Sequence, residues 1–196
     1  MDRPADVLQA RRARSAPPVR DSRMSERHTT HIVVMGVSGS GKTTVARGIA
    51  EATGYEFAEA DEFHPPENIA RMERGVPLTD EDRWPWLTAL AQWMEARSAA
   101  GVSTIITCSA LKRTYRDVLR DGPPSVTFVH LDGPAEVIRE RMAGREGHFM
   151  PTSLLRSQID TLEPLDEDEA GVVLDLRRPP WELIDKAVAR LGELAD

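Results

Sequence analysis

The chain has 196 residues, 40% of them hydrophobic and 29% charged, which are the proportions of a single α/β domain of ordinary size with its own core. Its formal charge of -7 is unevenly placed: seven Arg against four acidic side chains in residues 1–30 leave the remainder at -10, a body that repels polyanions and argues against a nucleic-acid partner. No apolar run approaches the ~20 residues that cross a bilayer, so no membrane partner is expected. The lone Cys108 excludes an internal disulfide and a cysteine-based metal cluster, and fits a reducing, cytoplasmic location.

Residues 1–30 carry several Pro and Arg, few large apolar side chains and no sustained period, so they are expected to be a disordered extension ahead of one domain spanning 31–196. From His31 onward, strand and helix patterns alternate. HIVVMG (31–36) is apolar on both faces, as a strand inside a parallel sheet is, and the helix after it begins near Lys42 and stops at Gly54. A short strand at 55–60 leads to a helix that starts on Pro and ends at Gly75. Asp80 is positioned to cap the next helix, whose Trp86, Leu87, Leu90 and Trp93 recur at helical spacing and are read as core. Strands are then expected at 103–108, 125–132 and 171–176, with helices at 112–120, after Pro134, at 152–163 and from Pro179. Such alternation calls for a doubly wound, three-layer α/β fold, a parallel sheet with helices on both faces.

GVSGSGKT (36–43) satisfies G-x-x-x-x-G-K-[ST], with a strand before it and a helix after. Gly36, Gly39 and Gly41 let the backbone wrap closely, so that successive amides and the helix N-terminus hold phosphate. The expected nucleotide site comprises Gly36, Val37, Ser38, Gly39, Ser40, Gly41, Lys42, Thr43 and Thr44, with Lys42 bridging the β- and γ-phosphates of ATP and the Thr43 hydroxyl offered to Mg²⁺. Guanine readers carry Asn-Lys-x-Asp, whereas Asn68, the one asparagine, is followed by Ile69, which argues against a GTPase switch.

Transfer to an acceptor requires a base near the acceptor hydroxyl and cations for the charge that spreads over the moving group. Asp61, just past the second strand, falls at the end of the sheet that also carries the P-loop and is the candidate base; on composition alone Glu59, Asp61 and Glu62 would be solvated loop charges. Only Lys42, Lys112 and Lys186 are lysine among 25 basic residues, which singles those positions out.

Three segments, DEFHPPENIARMERGVPLTDEDRWPWL (61–87), CSALKRTYRDVLR (108–120) and RMAGREGHFMPTSLLRSQIDTLEP (141–164), resemble the gluconokinase family of small P-loop kinases, and the likeness runs from about His31 to the C-terminus. Shikimate kinases share the P-loop but not the first segment. The resemblance implies ATP-dependent phosphorylation of D-gluconate to 6-phospho-D-gluconate, with Asp61 at the acceptor hydroxyl and His64, Arg71 and Arg83 lining the acceptor site. Lys112 is implied at the acceptor or the transferring phosphate. It also implies a mobile lid near 144–151, from which Arg145 reaches the phosphates, with Arg141 at the nucleotide and His148 against a substrate. A homodimer rests on the resemblance alone. Arg113 and Arg120 are read as decoration of a helix surface, while for Arg116 surface and site remain open. The chain departs from the family pattern at Glu59, Arg71 and Glu146, which bears on affinity and acceptor choice. The rival readings are a same-fold kinase for another hydroxy acid such as shikimate, and an ATP-binding regulatory protein without transfer activity.

Overall fold

The computed structural model describes residues 29–143 and 152–195. The N-terminal extension up to residue 28, and the expected lid with Arg145 and His148, lie outside the described residues. Thr29 and Thr30 already belong to the fold: Thr29 Oγ1 meets Ser98 Oγ at 2.5 Å, and the Thr30 carbonyl accepts the Thr104 N–H at 3.0 Å.

Five strands, β1 (His31–Met35), β2 (Glu56–Glu59), β3 (Thr104–Cys108), β4 (Val126–Asp132) and β5 (Gly171–Asp175), form one sheet in the order β2-β3-β1-β4-β5, every neighbouring pair parallel. Every residue of β1 and β3 is buried, on both alternating faces, which is why these strands read as continuous apolar runs. Two groups of helices cover the sheet. One pairs α1 (Lys42–Thr53) with α7 (Pro180–Ala195), and the other pairs α3 (Asp80–Ala99) with α4 (Arg113–Arg120). The remaining helices are α2 (Pro66–Glu73), α5 (Ala135–Ala143) and α6 (Thr152–Thr161). Among the described residues, no helix is long and apolar enough to cross a membrane.

The chain winds outward from β1 to β2, returns through β3 beside β1, and then crosses to β4 on the other side. Loops leaving β1 and β3 therefore part in opposite directions, and the crevice between them is where ligands lodge in open α/β sheets. Met35 sits level with Cys108 and His130, so the P-loop, the loop after β3 and the end of β4 open on the same edge. β2 is in register with β3 and carries the short 3-10 turn Ala60–Phe63, with Asp61 in it, to that edge.

One helix start differs from expectation. Thr79, not Asp80, caps α3: its hydroxyl accepts the Asp82 N–H at 3.3 Å, while the Asp82 carboxylate accepts the Thr79 N–H at 2.8 Å. This reciprocal pair satisfies two end-of-helix donors, leaving Asp80 at the first helical position, where its carboxylate is free to point sideways at α4.

Candidate active site

The P-loop is built by close approach. A Cβ on Gly36, at φ +137°, would stand 2.7 Å from the Leu131 carbonyl oxygen, and one on Gly39 would stand 2.6 Å from the Met142 side chain. Any larger residue would push the turn off β4 and α5. Lys42, the first residue of α1, donates to the Val37 carbonyl at 3.0 Å, and Gly41 before it holds φ +98°, which turns the helix N-terminus toward the crevice.

One cleft, about 910 Å³ of empty space with its mouth included, joins this loop to the acceptor-side residues. Its lining includes Lys42 and Thr43 from the P-loop, Glu59 and Asp61 from the end of β2, His64, and Arg83 and Trp86 from α3. The structure thus brings together Ser38, Gly39, Gly41, Lys42, Thr43, Asp61, His64 and Arg83 of the expected residues. Thr107 Oγ1 donates to Glu59 Oε2 at 2.5 Å, which orients that carboxylate along the wall.

His64 and Trp86 were separate expectations and form one unit. Their rings stack with centroids 4.1 Å apart and planes 15° apart, and Trp86 Nε1 donates to the Ala60 carbonyl at 2.7 Å, locking α3 to the turn that holds Asp61. Trp86 is core by burial, yet it is also the floor on which His64 rests. His64 is 8% exposed and its Nδ1 is buried without a hydrogen-bond partner. Burial first, and the neighbouring Arg83 charge second, push its imidazole from 6.5 down to about 4, so it is neutral at pH 7. The unfolded chain takes up this proton earlier than the folded one, so the stability gained from a neutral His64 is complete above pH 6.5 and is lost as the pH falls toward 4, by roughly 3 kcal/mol. His64→Gln should therefore flatten the fall in Tm between pH 7 and 5 relative to the parent. His31 and His130, whose values burial also lowers, are present in both proteins and cancel. A parallel fall in both would disprove the buried neutral ring.

Arg71 and Arg83 are expected at the acceptor and Lys112 at the acceptor or the transferring phosphate, and the structure separates the three. Among the described residues the Arg83 guanidinium makes no ion pair, and it packs over the Tyr115 ring at 5.6 Å. Arg71 pairs with Asp82 at 3.4 Å, and Lys112 donates to both Asp80 oxygens at 2.8 Å; neither lines the cleft. Asp80 also accepts from the Tyr115 hydroxyl at 2.5 Å, and these two hydrogen bonds, Lys112's first, hold its carboxyl below the usual range. Lys112 thus anchors the Asp80–Tyr115 pair against which Arg83 rests. Cys108 lies in the cleft wall, and burial pushes its thiol up to about 12, leaving it no nucleophile.

A second cleft lies on the other flank of the P-loop, lined by Ser40, Gly41, Thr44, Arg141, Arg178 and Pro180. Arg141 is held there by the carbonyls of Leu176 at 2.5 Å and Ser40 at 3.4 Å. Arg178 and Pro180 escaped the sequence reading because nothing local distinguishes the β5–α7 turn. Ser157 and Gln158 of α6 were also missed, although Gln158 Oε1 accepts the Ser38 N–H at 2.7 Å and both line the first cleft.

A parallel sheet with a phosphate loop at its β1 end, opening onto a cleft that carries a carboxylate and a guanidinium, defines a P-loop kinase. A family model described as an AAA domain matches residues 32–165, and the gluconokinase of Gluconobacter oxydans (strain 621H) is 45% identical over 157 residues, 80% of this chain and 88% of that one. The chain belongs to the gluconokinase family. Among solved structures it is similar to an unliganded sugar kinase from Janibacter sp. HTCC2649, at 73% identity and a TM-score of 0.83, covering 84% of this chain and 95% of that one. It is also similar to a gluconokinase from Sinorhizobium meliloti 1021, at 50% identity and a TM-score of 0.78, covering 85% and 93%.

Proposed function

We propose that the chain transfers the γ-phosphoryl group of ATP to the 6-hydroxyl of D-gluconate. The observation that supports this most is the single cleft lined by Lys42 and Thr43 together with Asp61, His64 and Arg83. The triphosphate lies along the P-loop amides, with Lys42 on its β and γ groups, and the nucleoside enters the flanking cleft between Arg141 and Pro180. Asp61 orients the acceptor hydroxyl and takes its proton as the oxygen attacks in line. Arg83 holds the gluconate carboxylate through two parallel hydrogen bonds, and His64, neutral on its Trp86 floor, exchanges a hydrogen bond with a hydroxyl of the sugar chain.

The Thr43 hydroxyl and the Glu59 and Asp61 carboxylates, all facing this cleft, are hard oxygen donors of the kind Mg²⁺ takes alongside substrate phosphates. Thr43 would hold the ion, which neutralises phosphate charge. The family likeness alone supports Lys112 and Arg145 as further cations for the moving group; Lys112 here is paired with Asp80, and Arg145 lies outside the described residues.

Purified chain supplied with MgATP should release ADP, read by a coupled assay, far faster with D-gluconate than with shikimate, other sugar acids or no acceptor. A preference for shikimate would move the chain to the neighbouring specificity. ADP release indifferent to every acceptor would mark a nucleotide-binding protein without transfer activity.

A further inference from the structure

A single buried side chain fastens the two walls of the acceptor cleft at their roots. Arg116 of α4 and the carboxylate of Glu169 are both 0% exposed as side chains. Arg116 Nε and Nη2 donate to the two Glu169 oxygens, each at 2.7 Å. Its Nη1 donates to the carbonyls of Ala110 at 3.3 Å and Glu163 at 3.1 Å, and Nη2 also reaches the Pro164 carbonyl at 3.0 Å. Glu169 in turn accepts the Asp166 N–H at 3.0 Å.

A guanidinium and a carboxylate removed from water recover little or nothing net by pairing, so stability alone does not explain this pair. What it grips is more telling. Ala110 holds φ +45°, the one non-glycine residue at positive φ among the described residues, and it lies in the loop from Ser109 to Lys112. Such a conformation persists only where surrounding contacts over-determine it. Ser109 beside it lines the acceptor cleft, and its carbonyl faces the Gly36 N–H at 3.4 Å. The same loop is sewn to the chain leaving α6: the Leu111 carbonyl accepts the Glu163 N–H at 2.7 Å, and the Arg113 N–H donates to Glu163 Oε2 at 2.6 Å. α6 itself brings Leu154, Ser157 and Gln158 to the cleft and reaches the P-loop through the Gln158–Ser38 bond.

We propose that Arg116 is a positioning residue for phosphoryl transfer: by clamping the strained Ala110 loop to the exit of α6, it sets the spacing of the Ser109 and Ser157–Gln158 walls and so the seat of the acceptor. The assignment rests on the reading of the first cleft as the acceptor site. Arg116 touches no substrate and acts only through the backbone that it holds.

Two variants test it. Arg116→Lys keeps the charge beside Glu169 but loses the planar fork that serves three carbonyls at once. The double variant Arg116→Met/Glu169→Leu removes both charges together, so that no buried carboxylate is left without its main partner. The double variant leaves three backbone carbonyls and the Asp166 N–H without their partner, so it is expected to melt below the parent but above Arg116→Met alone, in which the buried Glu169 carboxylate keeps, of its cationic partners, only Arg120 at 3.4 Å and Arg113 at 4.0 Å. In both test variants KM for gluconate should rise on the order of tenfold while KM for ATP stays within about twofold. Parental gluconate KM in the double variant, a joint rise of both KM values, or failure of both variants to fold would each overturn the clamp. Absence of gluconate turnover in the parent chain would instead overturn the reading of the cleft, so the two failures are distinct.

Discussion

Asp61→Asn is expected to lower kcat by about 10²–10⁴-fold while leaving nucleotide affinity nearly unchanged. The carboxylate sits on the 3-10 turn after β2, in the same cleft as Lys42 and Thr43. Asn keeps the size and one acceptor oxygen, so the acceptor can still be seated; what it lacks is the charge that draws a proton from an alcohol as the oxygen attacks. The loss should therefore appear in kcat, with KM for gluconate changed little. Asp61→Glu provides a second arm: the same charge on a longer stem should recover part of the rate, because proton transfer depends on placement to within a fraction of an ångström. Fluorescent-nucleotide titration and steady-state kinetics on the same preparations separate the two effects. An Asn variant that turns over at the parental rate would remove Asp61 from the chemistry.

Where sequence succeeded and where it failed follows from the range of the interactions. The P-loop was legible because its function is carried by eight consecutive residues and a local turn, and β1 because a strand buried on both faces is apolar throughout. The place of Asp61 in the cleft was legible because the end of a parallel strand faces the crevice by topology alone. Which of several cations would face the acceptor was not legible. Arg71, Arg83 and Lys112 carry the same formal charge, and only packing decides that Arg71 meets Asp82, eleven residues on, and Lys112 meets Asp80, thirty-two residues back, while Arg83 faces the cleft. Arg116 shows the same limit more sharply. It sits in a run of arginines on a short helix, where solvent is the ordinary destination, and it is buried because Glu169, fifty-three residues later, folds in beside it. Trp86 was assigned to the core on its periodicity, which is correct as burial and silent on its second role beneath His64.

Arg83→Met should raise KM for gluconate and lower kcat/KM on the order of 10²-fold or more, the cost of leaving a substrate carboxylate in a cleft without its charged partner. Arg83 forms no ion pair among the described residues, so its charge is available to a ligand. Asp80, which could have neutralised it, is occupied by Lys112 and Tyr115. Arg83→Lys should fall between parent and Met, since an ammonium supplies charge but not two parallel hydrogen bonds. The decisive comparison crosses the protein change with a substrate change. An uncharged polyol of the same chain length lacks the group that Arg83 is proposed to hold, so the parent should prefer gluconate over it strongly and Arg83→Met should largely lose that preference. The coupling energy from this four-corner cycle isolates the carboxylate contact from any general damage to the cleft. Removing the Arg83 charge also lifts one of the two influences that lower the His64 imidazole, so that imidazole should titrate higher in the Met variant, an effect visible by NMR even if activity is lost. Equal loss toward gluconate and polyol would show that Arg83 shapes the cleft without reading the acid.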